Sequence, residues 1–187
     1  MQTESDKRAR LTDAATELIY RQGYAHTTLA EIASAAKVAL GSVYYYFKTK
    51  DDVARAIVER RQAEIDALFE RIDQMEHPRK RLLALVDVWV QTRDNDARYG
   101  CPIGSLCYEL SKGRGPLSDE AAGPFRMLLG WSEAQFRSLG KNERQATAHA
   151  LHLVSALQGI SLIANALGEA DTILTEAKFL GDWLRTV

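Results

Sequence analysis

Apolar residues recur at helical spacing along almost the whole of this chain, while no run of several residues alternates apolar with polar. In the first stretch Leu11, Ala15 and Leu18 share one helical face, and Gly23 ends the pattern. The sequence therefore predicts an all-α protein of about nine helices. The predicted helices cover about residues 5–22, 28–33, 40–47, 50–75, 78–89, 103–110, 118–139, 142–167 and 170–185.

The same pattern divides the chain into a small part and a larger part. A compact piece ends at about residue 47, a long helix follows it, and a helical body makes up the remainder. We therefore predict a small N-terminal domain over residues 1–50 and a larger helical domain over residues 51–187. A chain of 187 residues can bury a core without disulfides or a structural metal.

The cysteines and the N-terminal residues indicate a compartment. Cys101 and Cys107 are too few for a disulfide framework, so a reducing cytoplasm is expected. Residues 1–10 are polar and mixed in charge, unlike a secretory signal. The apolar runs fall short of the ~18 residues that span a bilayer, so no membrane partner is expected. The sequence gives no reason to expect a cofactor.

Residues 27–50 have the pattern of a helix-turn-helix, in which a short helix, a tight turn and a second helix cross at a steep angle. Thr28 and Glu31 fit a capping box at the start of the first of these helices. Ala33 and Ala36 are small enough for the point where the helices cross. The predicted apolar anchors toward a third helix are Ile32, Val38, Val43 and Phe47.

The second helix of this motif then points aromatic and small residues outward, next to lysines. Another surface usually covers such a helix, and a DNA duplex can be that surface. Lysines pair with phosphates, a threonine at a helix start donates to one, and tyrosines contact phosphates or thymine methyls. Residues 1–50 carry seven Lys/Arg against five Asp/Glu, a balance of the right sign. The predicted DNA-binding residues are Thr28, Lys37, Ala39, Leu40, Gly41, Ser42, Tyr44, Tyr45, Tyr46, Lys48 and Lys50.

With these residues in view, the segment resembles the DNA-binding domain of the TetR family of transcriptional repressors. The resemblance covers about residues 5–60, and beyond them it rests on helix number and length. It implies a three-helix DNA-binding domain followed by a larger helical domain for ligand binding and dimerisation. A repressor of this kind releases its operator when a small molecule binds. The residues that carry the resemblance are Gly23, Tyr24, Thr28, Ile32, Ala33, Val38, Gly41, Tyr44, Phe47 and Lys50.

The resemblance also implies individual roles. Tyr44 and Lys50 would grip phosphates. Two positions depart from the family pattern: Ala39 stands where a capping serine is often found, and Tyr46 where histidine is frequent. Both departures make the operator sequence unpredictable. The residues implied to lie in or near the major groove are Gly41, Ser42, Tyr45 and Tyr46.

A single recognition helix buries too little surface for high specificity, so a homodimer on palindromic double-stranded DNA is expected. The predicted helix over residues 142–167 has two apolar stripes, and a helix apolar on two faces must be buried twice. One stripe would pack inside the subunit, and the other would meet the last helix and the partner's copies, as the resemblance also implies. The alternative is that both stripes pack within one subunit. The predicted interface residues are Leu151, Val154, Leu162, Leu180, Trp183 and Leu184.

Aromatic residues cluster in the middle helices, where members of the family bind ligands. An apolar cavity with few polar groups suits a small lipophilic or aromatic effector, although aromatic residues form cores more often than pockets. Arg93, one turn after Trp89, is the candidate polar anchor. The predicted effector-pocket residues are Trp89, Arg93, Tyr99, Cys101, Cys107, Phe125, Met127, Trp131 and Phe136.

A further hypothesis is that Cys101 senses an oxidant or an electrophile. It precedes a predicted short helix, whose dipole would lower the pKa of the thiol and make thiolate available to an oxidant or electrophile. Modification would then shift the dimer toward the state that does not bind DNA. The stretch resembles one found in a branch of the TetR family in which some members use a cysteine this way. A small structural turn beside the pocket is the alternative, and a sensing role of Cys107 stays open.

Two other classes of function compete with this interpretation. An enzyme would need a cysteine paired with His149 or His152, yet no acidic or amide residue completes a triad. The two histidines also lack further ligands beside them in sequence, so no metal-binding or catalytic residue is predicted. A helical module that binds protein would explain the outward aromatic residues but not the flanking lysines. The aromatic residues could also be the core of an ordinary three-helix bundle.

Overall fold

The computed structural model describes residues 4–187, and this part of the chain forms ten α-helices and no strand. The predicted all-α fold class is thereby confirmed. The helices are α1 (Glu4–Gln22), α2 (Leu29–Ala35), α3 (Leu40–Tyr46), α4 (Lys50–Asp73), α5 (Pro78–Tyr99), α6 (Pro102–Ser111), α7 (Pro116–Ala121), α8 (Gly123–Ser138), α9 (Glu143–Leu167) and α10 (Asp171–Thr186).

The main difference from the predicted helices is a break at Ala122. The sequence pattern predicts one helix over about residues 118–139, whereas the structure has α7 and α8 there. Pro124 explains the break, because it has no N–H to donate to the Glu120 carbonyl and its ring clashes with that carbonyl. In the first turn of α8 the same proline is tolerated, since a first-turn N–H has no intrahelical partner.

The chain divides into two compact units, and the first combines the residues up to Gln62 with Ser105–Gly123. The inward faces of α1 to α4 form its core together with one side of α6 and a residue of α7. This core supports the helix-turn-helix from behind. Three of the four predicted anchors are buried in it, namely Ile32, Val43 and Phe47, and the half-buried Val38 packs against it.

The second unit combines Ala63–Gly104 with Pro124–Val187, and α5, α9 and α10 pack together at its centre. Leu82, Leu153 and Ile173 are fully buried there. Both α4 and α6 contribute residues to each unit, so the division is not a single point in the chain. The predicted domains, residues 1–50 and 51–187, therefore differ in composition from these units, and the functional division stays a prediction.

Local sequence signals fix both ends of α9. Asn142 Oδ1 accepts a hydrogen bond from the Gln145 N–H, and Gln145 Oε1 accepts one from the Asn142 N–H. Gly168 ends the helix with a φ of +71°. By length and composition alone α9 is able to cross a bilayer. That is weak support for a membrane span, because Ala150 and Leu157 on its inner face belong to the core.

Candidate functional site

The first helix of the motif, α2, begins at the predicted capping box. The Thr28 N–H donates to Glu31 Oε2 at 2.8 Å, and the Glu31 N–H donates to Thr28 Oγ1 at 3.2 Å. The Thr28 hydroxyl also donates to this carboxylate, at 2.8 Å. These hydrogen bonds from the Thr28 side chain and backbone lower the pKa of Glu31. A phosphate contact of the Thr28 hydroxyl, as predicted, therefore requires it to leave the carboxylate.

The turn between α2 and α3 has a left-handed backbone at Lys37, with a φ of +55°. The Val38 N–H donates to the Ala33 carbonyl across the turn at 3.0 Å. From α1, the Arg10 guanidinium donates to the carbonyls of Ala36 and Lys37. Arg10 thus caps the carboxyl end of α2, a role that the sequence analysis missed. The Lys37 side chain itself is exposed.

Replacing Lys37 with glycine is expected to raise the free energy of unfolding by about 1 kcal/mol, because glycine adopts a positive φ without a Cβ clash. The change is also expected to make the slope of log affinity for DNA against log salt less steep by about two, since a dimer loses two cations that meet phosphates. Denaturant unfolding and duplex titrations at several salt concentrations measure the two effects. Lys37→Arg, which keeps both charge and strain, should change neither. A Lys37→Gly protein less stable than wild type would contradict the strain argument.

The second helix of the motif, α3, exposes aromatic and small residues on one side. Tyr44 is 49% exposed and Tyr45 64%, whereas Val43 on the opposite side is fully buried. A Cβ built on Gly41 would meet no described atom within 4 Å apart from the adjacent residues and backbone of its own helix, so the surface is open there. Ala39 stands at the N-cap position and has no side-chain oxygen with which to cap the helix. The exposed members of the predicted set in this segment are Ala39, Leu40, Gly41, Tyr44 and Tyr45.

Two of the residues predicted to lie in or near the groove are less accessible. Ser42 and Tyr46 are half-buried, and Tyr46 packs against the core of the first unit. The Tyr46 ring also meets the Tyr45 ring edge-on, with centroids 4.9 Å apart. Tyr46 therefore supports the outward direction of Tyr45.

The three lysines predicted to pair with phosphates have different surroundings. Lys48 is exposed, and its Nζ donates to the Tyr44 carbonyl at 2.8 Å. Lys50 is half-buried, since its Nζ donates to the Ala25 carbonyl at 3.1 Å and lies 4.4 Å from the centre of the Tyr24 ring. Lys50 therefore anchors the loop between α1 and α2, whereas Lys37 and Lys48 present exposed charge beside α3.

The sequence analysis did not single out the other groups that hold this loop. Glu109 of α6 accepts hydrogen bonds from the N–H groups of Tyr24 and Ala25, each at 3.0 Å. The Tyr24 hydroxyl donates to Asp51 Oδ1 at 2.7 Å, and burial together with this hydrogen bond raises the pKa of Tyr24. Glu109 lies 85 positions from Tyr24, so no local pattern reveals the pair.

The predicted effector residues do not all lie in one unit. Cys107 belongs to the first unit. In the second unit the Trp89 Nε1–H donates to Ser161 Oγ at 2.9 Å, and Trp131 stacks on Phe69 with ring centroids 4.6 Å apart. Trp89 is buried in the core and Trp131 is half-buried against it, so a ligand that contacts either ring must replace existing contacts. The effector residues in the second unit are Trp89, Arg93, Tyr99, Cys101, Phe125, Met127, Trp131 and Phe136.

Five of these eight side chains are half-buried and stay partly accessible: Trp131 and the four that follow. Arg93 is half-buried, and it donates to the Val90 carbonyl at 2.9 Å. The Tyr99 ring lies 5.1 Å from the Arg98 guanidinium carbon. Phe125 and Met127 pack against the outside of the core and are half-buried. A pocket formed by these residues stays a prediction.

Cys101 lacks the reactive environment that the sequence predicts. The thiol is buried, and burial raises its pKa even though the Gly104 N–H lies 3.4 Å from Sγ and donates to it. The predicted lowering of the pKa is therefore wrong, because desolvation of the thiolate outweighs the hydrogen bonds at the start of α6. A buried thiol with a raised pKa reacts slowly with electrophiles.

Near Cys101, a carboxyl group is buried at Asp96. Ser161 Oγ donates to Asp96 Oδ2 at 3.1 Å. Burial raises the pKa of Asp96 to about 6, while hydrogen bonds from Ser161 and Thr92 act in the opposite direction. An aspartate in an unfolded chain has a pKa of about 3.9. Folding therefore favours the protonated carboxyl, and the folded state loses stability as the pH rises from about 4 to about 6.

Replacing Asp96 with asparagine is expected to remove this pH dependence. The variant should match wild type near pH 4 and exceed its free energy of unfolding by about 2 kcal/mol at pH 8, because no buried carboxylate forms. Denaturant unfolding across this pH range, followed by tryptophan fluorescence, measures the difference. Asp94→Asn, at an exposed position of the same helix, is the matched control, because it removes the same charge without changing a buried group. A stability difference for Asp96→Asn that is constant with pH would refute the argument.

The structure corrects part of the predicted dimer interface. Leu151 and Leu162 on α9 are 56% and 69% exposed, in line with an interface. Val154, Leu180 and Leu184 are buried in the core of their own unit, so their assignment to the interface is wrong. An amphipathic helix needs one apolar face for its own core, and these residues lie on the inward faces of α9 (Val154) and α10 (Leu180 and Leu184).

Trp183, the remaining predicted interface residue, packs beside two histidines of α9. Trp183 is half-buried, with ring centroids 5.6 Å from His149 and 4.8 Å from His152. Burial, and then the charge of Lys141, lowers the pKa of His149. Among residues 4–187 no three His, Cys, Asp or Glu side chains come together as metal ligands would. The exposed apolar residues of α9 and α10 that the sequence analysis left out are Ile163, Leu167, Leu174 and Phe179.

Together these features define an all-α protein with an N-terminal helix-turn-helix. The family described as "Bacterial regulatory proteins, tetR family" matches residues 11–57. This match covers the helix-turn-helix and agrees with the resemblance of that segment to the DNA-binding domain of the TetR family.

Curated relatives match somewhat more than half of this chain. The "HTH-type transcriptional regulator HbdR" of Aromatoleum sp. (strain CIB) is 32% identical over 111 residues, which cover 57% of this chain and 45% of HbdR. The "HTH-type transcriptional repressor NemR" of Escherichia coli (strain K12) is 30% identical over 114 residues, which cover 58% of this chain and 54% of NemR. The match thus spans about half the length of these relatives.

Solved structures match over nearly the whole chain. A TetR-family regulator from Agrobacterium tumefaciens superposes with a TM-score of 0.83 at 22% identity, covering 96% of this chain and 98% of that one. The regulator FadR from Bacillus subtilis, solved in complex with stearoyl-CoA, gives 0.76 at 17% identity, with 95% and 97% covered. These TM-scores establish a common fold, and at identities this low the fold is all that the likeness shows.

Proposed function

We propose that this chain is a DNA-binding transcriptional repressor that acts as a homodimer and leaves its operator when a small molecule binds. The observation that carries the proposal is the exposed side of α3, where Tyr44 and Tyr45 lie on a helix anchored by the buried Val43. Neighbouring exposed aromatic side chains on one side of a helix are typical of a surface that binds another molecule. The exposed Lys37 and Lys48 next to this helix favour a polyanion as that partner.

In this proposal α3 enters the major groove, which is about 12 Å wide. The open backbone at Gly41 allows close approach to the base pairs. Tyr45 and Leu40 contact base edges and thymine methyls, while the Tyr44 hydroxyl donates to a phosphate. Thr28 at the start of α2 reaches a neighbouring phosphate once its hydroxyl leaves Glu31.

A dimer supplies the second recognition helix. Leu151 and Leu162 expose an apolar face of α9 that a second copy of the same helix can cover. Two α3 helices about 34–36 Å apart then meet successive major grooves on one face of a palindromic duplex. The exposed apolar residues of α10, Leu174 and Phe179, extend the apolar surface of the second unit.

The effector in this proposal is a lipophilic or aromatic compound. The aromatic content of the second unit supports this choice, and a protein of the same fold, FadR, was solved with stearoyl-CoA. The effector weakens DNA binding only if it binds the released state more tightly than the DNA-bound state. We expect the repressor to act as a soluble protein in the cytoplasm, without a cofactor or a membrane partner. The buried Cys101 argues against its modification as the trigger.

Selection of bound duplexes from a random pool, followed by titration of the selected duplex, tests the proposal. We expect tight binding of a palindrome, with an affinity that falls steeply as salt rises, because phosphate contacts release counterions. Protein that selects no duplex, or binds with no salt dependence, would favour a helical module that binds protein instead. Light scattering of the complex should give two chains per palindrome.

A further inference from the structure

The loop that joins α1 to α2 is tied to α6 by one carboxylate. Glu109 Oε1 accepts a hydrogen bond from the Tyr24 N–H, and Oε2 accepts one from the Ala25 N–H, each at 3.0 Å. All three residues belong to the first unit. Since both oxygens of a single side chain hold two consecutive peptide groups, the loop is restrained in direction as well as in position.

The loop backbone is shaped for this contact. Gly23 has a φ of +87°, and a Cβ there would lie only 3.1 Å from Glu109 Oε1. The buried Thr27 donates its hydroxyl to the Gly23 carbonyl at 2.8 Å. Lys50 Nζ donates to the Ala25 carbonyl at 3.1 Å. The Ala25 residue is thus held by Glu109 through its N–H and by Lys50 through its carbonyl.

This restrained loop leads directly into the helix-turn-helix. Thr28 follows the buried Thr27 and caps α2, so the direction of the loop sets the direction in which α2 starts. Because α2 and α3 share a core across a tight turn, α3 follows α2. Glu109 itself lies on α6, a helix whose first residues, Pro102–Gly104, belong to the second unit. Within the first unit, Glu109 thus links α6 to the loop that leads into α2.

We propose that Glu109 is a positioning residue for DNA binding, whose two hydrogen bonds hold α3 in the orientation that fits both half-sites. The inference rests on the proposed DNA-binding function. The helix-turn-helix keeps its core without Glu109, because Ile32, Val43 and Phe47 supply it. Loss of the two bonds therefore changes orientation more than folding. Binding of a palindrome needs both recognition helices in register, whereas binding of random DNA needs mainly charge.

Glu109→Gln tests this role. A glutamine places an NH₂ group against one of the two backbone N–H groups, so one hydrogen bond is lost and two donors face each other. Hydrogen exchange should become faster at the Tyr24 and Ala25 amides. The affinity for the duplex that wild type selects should fall about tenfold, while the affinity for a random duplex changes by less than about twofold. A merely destabilised protein cannot show this, because a smaller folded fraction lowers both affinities equally.

Glu120→Gln is the matched control, since it removes the same charge from the first unit and breaks the ion pair of Glu120 with Arg55 Nε at 2.9 Å. It should keep the wild-type ratio of the two affinities. The inference is overturned if Glu109→Gln leaves amide exchange at Tyr24 and Ala25 unchanged. It is also overturned if the affinity for the selected duplex, relative to that for a random duplex, falls no more in Glu109→Gln than in Glu120→Gln. If wild-type protein binds no duplex at all, the proposed function fails and this inference fails with it. If wild-type protein binds the palindrome and Glu109→Gln binds it equally well, only this inference fails.

Discussion

A Tyr45→Ala variant is expected to lose tenfold to hundredfold in affinity for the duplex that wild-type protein selects, with a free energy of unfolding within about 0.5 kcal/mol of wild type. The Tyr45 ring is 64% exposed, so its removal costs little packing within the chain. In a dimer the contact is lost in both half-sites, and each lost base contact costs about 1 kcal/mol or more. Fluorescence anisotropy of labelled duplex and denaturant unfolding measure the two quantities.

Tyr108→Ala provides the control. Tyr108 is also a tyrosine in the first unit and is 66% exposed, but it lies on α6, outside the helix-turn-helix. Its removal should leave the affinity within about twofold of wild type. Equal losses in the two variants would mean that an exposed tyrosine matters for a reason other than groove contact, and the recognition role of α3 would have to be abandoned.

The helix-turn-helix was predictable because its determinants are close together in sequence. Thr28 and Glu31 are three positions apart, and the capping box they form depends on little else. The inward side of α3 follows from the spacing of Val43 and Phe47, which helical periodicity converts into a shared face. The outward direction of Tyr45 is the consequence of that same periodicity.

The remaining features depend on tertiary contacts that no local pattern contains. Helical spacing finds an apolar stripe, but it does not tell whether Leu180 and Leu184 face their own core or a partner. Cys101 stands where a helix dipole would activate it, yet burial, which only the folded chain determines, reverses the shift of its pKa. Pro124 is a different case, because the sequence did contain the signal for the break between α7 and α8.

Replacing Leu162 with glutamate is expected to convert the dimer into a monomer and to lower the affinity for a palindromic duplex about hundredfold or more. Leu162 is 69% exposed within one chain, so the change should leave the fold and its stability nearly intact. In the proposed interface the same residue comes from both copies of α9, and two carboxylates would be desolvated and would repel each other. Sedimentation equilibrium and duplex titration measure the two effects.

Met75→Glu is the comparison that gives the Leu162 result its meaning. Met75 is an exposed apolar residue of the second unit that lies outside α9 and α10, so this variant should remain a dimer with wild-type affinity. A Leu162→Glu protein that stays dimeric would place the interface on another face. A monomeric variant that binds the palindrome as tightly as wild type would instead remove the dimer from the DNA-binding mechanism, because half-site spacing could then contribute nothing to affinity.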